Sequence, residues 1–282
     1  MLSLLDSAEL NQIKFEFPTP HRTKTDGLNS IRAVTEQEQF IHGRHLNEII
    51  FFDPWIQGNR LEARMHDLET DRRPWPSGRA KTFYQILMTE NVTQEEVTFI
   101  GRYGDVIIRP ERRVRINGET EGNRPPYWVI LMYQRDAAGE VVCREAYAHA
   151  FYNSIYPVPV DSELERQTIQ SITKTAQWLK ERNYTFTITK PLFDIEVNVK
   201  EEIIYVLPDF LLSVDIPGQF NNKNFVIETM GYDNEDYTER KAFQHTGMQT
   251  LGLLLTDPPR WPEESPWIDA FTKYLFGHVI NA

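Results

Sequence analysis

A single cysteine, Cys143, stands in the 282 residues, which rules out an internal disulfide and any multi-cysteine zinc or iron–sulfur site. No apolar run approaches the roughly 20 residues that a membrane helix needs. The opening "MLSLLDSAEL" is too short for a signal peptide and is interrupted by Asp6 and Glu9. These absences make a reducing cytoplasm the expected home. Phosphate-cradling glycine loops of the Gly-x-x-x-x-Gly-Lys and Gly-x-Gly-x-x-Gly kinds are missing, and so is a serine nucleophile elbow. The seven histidines are scattered; His42 and His45 share a helical spacing but lack an acidic or thiol partner at a zinc-motif distance. Positive charge is also short, with 30 Lys and Arg against 41 Asp and Glu, a net charge of -11. That balance argues against a protein that coats nucleic acid. It leaves room for a nucleic-acid enzyme, whose metal sites are themselves acidic.

What is present is enough to fold. Apolar residues make up 40% and aromatics 12% of the chain, ample for a packed core. Residues 1–78 read as a poorly defined, partly helical region, in which Thr35 and Glu38 have the spacing of a capping box ahead of "FIHGRHLNEIIFF". Residues 79–157 read as an antiparallel, β-rich accessory domain, with "RDAAGE" as a hairpin loop and Asn117-Gly118 as a turn. Within it, "RYGDVIIRPERRVR" carries Arg102, Arg109, Arg112, Arg113 and Arg115. These arginines form either a solvated face or a phosphate-contacting surface.

Residues 158–282 have a clearer order. "DSELERQTIQSITKTAQWLKERN" predicts a helix that Ser162 and Glu165 open with a Ser-x-x-Glu cap. "YTFTITKPLF", extended by "DIEVNV", then "EIIYVLPDFLLSV" and "NFVIETM", predict three strands. A helix over 234–248, a strand at "TLGLLLT" and a last helix opened by Pro266 complete a mixed sheet flanked by helices, an α/β layer within an α+β chain.

Two carboxylates sit near strand ends in this half: Asp209, directly after Pro208, and Glu228 in "VIETM". Divalent magnesium takes one or two carboxylates, water and substrate oxygens, so a converging pair would suit it, with the Thr229 carbonyl as a third ligand. Glu165 heads the stripe Ile169, Ile172, Ala176 and Leu179, the face expected to meet the sheet. It is either a cap partner of Ser162 or a further acid of the site. Position 230, two past Glu228, holds methionine where many metal nucleases have lysine. Lys241, on the stripe Tyr237, Lys241, His245 and Met248 of the next helix, is the candidate replacement, with Arg240 as its rival.

Pro208-Asp209, Glu228, Glu165 and the element order resemble the PD-(D/E)xK nuclease superfamily, in a branch with the lysine displaced to the following helix. The likeness covers residues 160–282 and leaves 1–156 outside it. It implies a restriction-endonuclease-like fold and hydrolysis of phosphodiesters, DNA before RNA. Asp209, Glu228 and the Thr229 carbonyl would hold Mg2+ or Mn2+, with Glu165 acting through water or a second ion. Lys241 would assist the transition state, and Arg102, Arg109, Arg112, Arg113 and Arg115 would contact nucleic acid. The arrangement is also similar to transposon-end-cleaving endonucleases, and such proteins occur in bacterial mobile-element, repair and antiviral systems. A targeting partner, a homodimer and no membrane are the expected associations. The alternative is a catalytically inactive module that binds nucleic acid or serves assembly.

Overall fold

The computed structural model describes residues 1–16, 22–101, 104–118, 124–180, 184–216, 218, 222–229, 243–257 and 277, with side chains for all of these but 175–180 and 257. The chain forms two compact units. One comprises Met1–Leu10 with Thr23–Asp161, and the other Asn11–Arg22 with Ser162–Ala282. Residues 1–78 therefore do not stand apart from 79–157 as the sequence suggested, and a short piece of them belongs to the C-terminal unit.

The first unit is organised by a long antiparallel hairpin, Tyr127–Arg135 against Val141–Ala150. Ile50–Phe51, Phe83–Thr89 and Arg115–Asn117 extend it to a five-stranded sheet. Asp136 makes the hairpin turn by accepting the amides of Ala138 and Glu140 at 2.8 and 2.9 Å, and Gly139 takes the left-handed φ of 88° that the turn requires. Trp128 is fully buried and donates its indole N–H to the Pro157 carbonyl at 2.9 Å. Its ring is therefore core and unavailable for base stacking. The expected capping box at Thr35 is not formed. The helix runs earlier, Asp26–Gln37, and Thr35 lies buried in its last turn, bonding back to the Arg32 carbonyl at 2.8 Å. Gly43, at a φ of 78°, turns the next residues into a small two-stranded ladder instead of a helix.

An ion cluster fixes the loop after helix Asn59–Thr70. Arg73 bonds Glu48 and Asp71, and Arg44, 1% exposed, meets Asp71 at 3.0 Å. Hydrogen bonds from Arg73 hold both carboxyls below their usual range. The folded state thus binds fewer protons than the unfolded one. The stabilisation is present above the unfolded carboxylate range near pH ~4 and fades as pH falls through the depressed folded values.

The second unit is built on helix α1 (Glu163–Lys180) and strands β1 (Gln12–Phe15), β2 (Thr185–Thr189), β3 (Ile195–Val199), β4 (Glu202–Val206), β5 (Phe210–Asp215), β6 (Lys223–Thr229) and β7 (Leu253–Asp257). Its main sheet has the order β1-β2-β5-β6-β7. All neighbours are antiparallel except β6 and β7. Two expectations change here. "DIEVNV" is not an extension of β2, and residues 202–214 are not one strand. Instead β3 and β4 form their own hairpin, turned by Lys200 and Glu201 at φ 51° and 71°. The chain breaks before β5 because Pro208 has no N–H to give a ladder.

The inward side of this hairpin, Val197 and Val206, packs with Val226 of β6 and Met248. Met248 ends a helical stretch at 243–248, and the rest of the helix expected over 234–248 lies outside the described residues, as does the last helix. Gly252, just before β7, passes the backbone of β6 so closely that an added Cβ would lie 2.6 Å from the Asn224 carbonyl oxygen. Backbone cannot yield as a side chain can.

Two measurements follow. Gly252→Ala should lower stability by about 1–3 kcal/mol in urea unfolding. For Arg73→Gln, stability should depend less steeply on pH between roughly 2 and 5 than for the wild type.

Candidate active site

Antiparallel pairing gathers several polar residues at one end of the second unit's sheet. β2 pairs with β5 so that Thr189 faces Leu211, and β5 pairs with β6 so that Phe210 faces Ile227. One residue further along each strand come Lys190, Asp209 and Glu228, so all three stand at the same sheet end.

Asp209 and Glu228 are tied by crossed hydrogen bonds. The Asp209 amide donates to Glu228 Oε1 at 3.1 Å. In return, Asp209 Oδ2 accepts the Thr229 amide at 2.6 Å and the Thr229 hydroxyl at 2.7 Å. Each carboxylate thus grips the backbone beside the other, which closes the gap left where Pro208 interrupts the ladder. Glu228 has no exposed surface, whereas Asp209 is half-buried. A buried carboxylate is tolerated only when hydrogen-bonded or paired. The pair presents hard oxygen donors and no sulfur, a set suited to magnesium or manganese. Among the described residues, no group of three or more His, Cys, Asp or Glu is arranged to hold a metal. Any ion here would draw on two carboxylates and on oxygens from water and substrate.

Glu165 lies on the buried face of the helix, as its place at the head of the stripe suggested. Its amide is capped by the Ser162 hydroxyl at 3.1 Å, as the Ser-x-x-Glu pattern expects. Its carboxylate meets Lys190 Nζ at 2.7 Å, with the two side chains 5% and 7% exposed. Lys190 escaped the sequence reading because "ITKP" reads as an ordinary strand end. Its Nζ lies 5.5 Å from the centre of the Phe210 ring. Its main chain is held by Asn11, whose carbonyl takes the Lys190 amide at 2.8 Å and whose side-chain amide donates to the Lys190 carbonyl at 3.2 Å. Asn11 immediately precedes β1, the short strand from the N-terminal region. Ile169 and Ile172 on the same helix are buried as the stripe predicts, whereas the side chains of Ala176 and Leu179 are not described.

Met230, Arg240 and Lys241 lie outside the described residues, as does Arg102. Of the other arginines, Arg109 pairs with Glu96 at 2.9 Å and Arg112 with Glu145. Arg113 and Arg115 are exposed. The segment is thus a solvated surface whose cations are partly matched by acids. Burial pushes the Cys143 thiol up to about 12, so it stays protonated at neutral pH and is no nucleophile.

A family model for a domain of unknown function, DUF8535, matches residues 1–151. The chain belongs to this family. Residues 161–278 match a restriction endonuclease-like C-terminal domain, the second unit described above. An Escherichia coli protein described as an uncharacterized protein in the cib 5'region is 48% identical over 178 residues, covering 62% of this chain and 81% of that one. No solved structure matches. No described helix is long and apolar enough to cross a membrane.

The Glu165–Lys190 pair makes a stability prediction. Glu165→Leu leaves a buried lysine without this partner and should cost about 3–5 kcal/mol. In the double variant Glu165→Leu/Lys190→Met, most of that loss should be recovered in the same unfolding experiment.

Proposed function

We propose that this member of the DUF8535 family is a Mg2+- or Mn2+-dependent endonuclease that hydrolyses phosphodiester bonds of DNA. The observation that carries the reading is the crossed set of hydrogen bonds between Asp209 and the Glu228–Thr229 segment, on a restriction endonuclease-like domain. Asp209 and Glu228 would hold the ion, with the Thr229 carbonyl beside them and Glu165 acting through water. A divalent ion bound there lowers the pKa of a coordinated water and neutralises charge on the phosphate.

The chain's own residues supply the frame. The Thr229 amide and hydroxyl aim the Asp209 carboxylate, and the Asp209 amide aims Glu228. Buried Phe210 and Ile227 keep the base of the site apolar. Such pre-orientation means that little has to reorganise when charge develops on the scissile group. A net charge of -11 repels DNA at long range, so targeting would fall to the exposed Arg113 and Arg115 or to a basic partner protein.

The test is cleavage of supercoiled, linear and single-stranded DNA with Mg2+ or Mn2+. The wild type should cut, and chelation should stop it. Asp209→Asn and Glu228→Gln keep the side-chain shape and should lower the rate at least about 100-fold. Metal-independent cutting, or full activity in both variants, would refute the reading. DNA binding without cutting would favour an inactive binding module, a reading to which Met230 in the usual lysine position also points.

A further inference from the structure

The strand that delivers Glu228 carries no lysine at position 230, yet a lysine is buried at the same sheet end. We propose that Lys190 supplies the positive charge of this site. It acts as a positioning residue that holds the Glu165 carboxylate at the sheet end where Asp209 and Glu228 stand. The inference rests on the nuclease reading and deepens it.

Energetics give the first argument. A buried ion pair loses the hydration of both partners, and replacing one by apolar residues of similar size is often neutral or stabilising, by about 1–4 kcal/mol. The surroundings offer apolar packing in plenty: Ile169, Ile172, Phe186, Ile188 and Phe210 are all 4% exposed or less. A charged pair kept among such neighbours marks a functional site better than a structural one.

Placement gives the second argument. Lys190 is one residue past Thr189, which pairs with Leu211, and Phe210 pairs with Ile227. The lysine therefore sits on the strand next to the one that presents Asp209, level with Phe210 and one residue short of Asp209. Its stem is directed by two constraints: the Phe210 ring 5.5 Å from Nζ, and the two backbone bonds from Asn11 at 2.8 and 3.2 Å. Clamping the main chain on both its N–H and its carbonyl holds an orientation that a surface lysine would not need.

Charge sign provides a readout that a purely structural role would not move. A lysine near two carboxylates opposes binding of a cation while favouring the negative phosphate. Lys190→Gln keeps a hydrogen-bond donor for Glu165 and removes the charge. In calorimetric titration with Mn2+ alone it should bind severalfold more tightly than the wild type. In DNA cleavage its kcat should fall about 100-fold with little change in KM. Lys190→Arg should restore cutting to within about 10-fold of the wild type.

Wild-type Mn2+ affinity together with wild-type cutting in Lys190→Gln would overturn the proposal and leave the nuclease reading intact. Should Lys190→Gln unfold, Glu165→Gln and Glu165→Gln/Lys190→Met are titrated with Mn2+ side by side: tighter binding by the double variant supports the proposal, and equal affinity overturns it. A wild type that neither binds Mn2+ nor cuts would refute the nuclease reading and the proposal with it.

Discussion

Pro208 imposes the constraint from which the rest of the C-terminal unit follows. Without an N–H to give, the chain leaves the ladder before β5, and two strands that are well paired along Phe210–Val214 part at one end. The gap exposes backbone donors that must find acceptors. Asp209 and Glu228 provide them, each accepting from the main chain beside the other. The acids therefore have a structural task whatever their chemistry, since these bonds seal the sheet end and tie the two residues to each other's strand.

Around that clasp the unit places charge sparingly. The hairpin side of the sheet is apolar, with Val197, Val206, Val226 and Met248 in one cluster. Among the described residues of the unit, the buried charges are Glu228 and the Glu165–Lys190 pair. Low polarity strengthens electrostatic interactions, so a few fixed groups exert more effect here than the arginine-rich segment of the first unit, which is exposed and partly paired with Glu96 and Glu145.

Much of this was legible in the sequence where the chemistry is local. Ser162 and Glu165 announce the start of α1, and an apolar run ends at Glu228, whereas Pro208 reads as lying inside one strand that it in fact divides. The unread parts depend on long-range placement. Strand β1 is four residues, Gln12–Phe15, too short for periodicity to reveal. The β3–β4 hairpin turns through Lys200 and Glu201 at positive φ, where glycine would have signalled a turn. Lys190 meets Glu165 across 25 positions, a contact that only the packing of α1 on β2 creates. A lysine before a proline carries no sign of burial. Lys241, which the sequence favoured as the site's cation, falls outside the described residues.

A divalent ion held by the Asp209–Glu228 clasp is the central element of the proposed function. Crystals of the full chain soaked in Mn2+, with diffraction collected at the manganese edge, address it directly. An anomalous peak within about 2.5 Å of a carboxylate oxygen from both Asp209 and Glu228 is the predicted result. A peak elsewhere, or none at a concentration that saturates the soak, would contradict it.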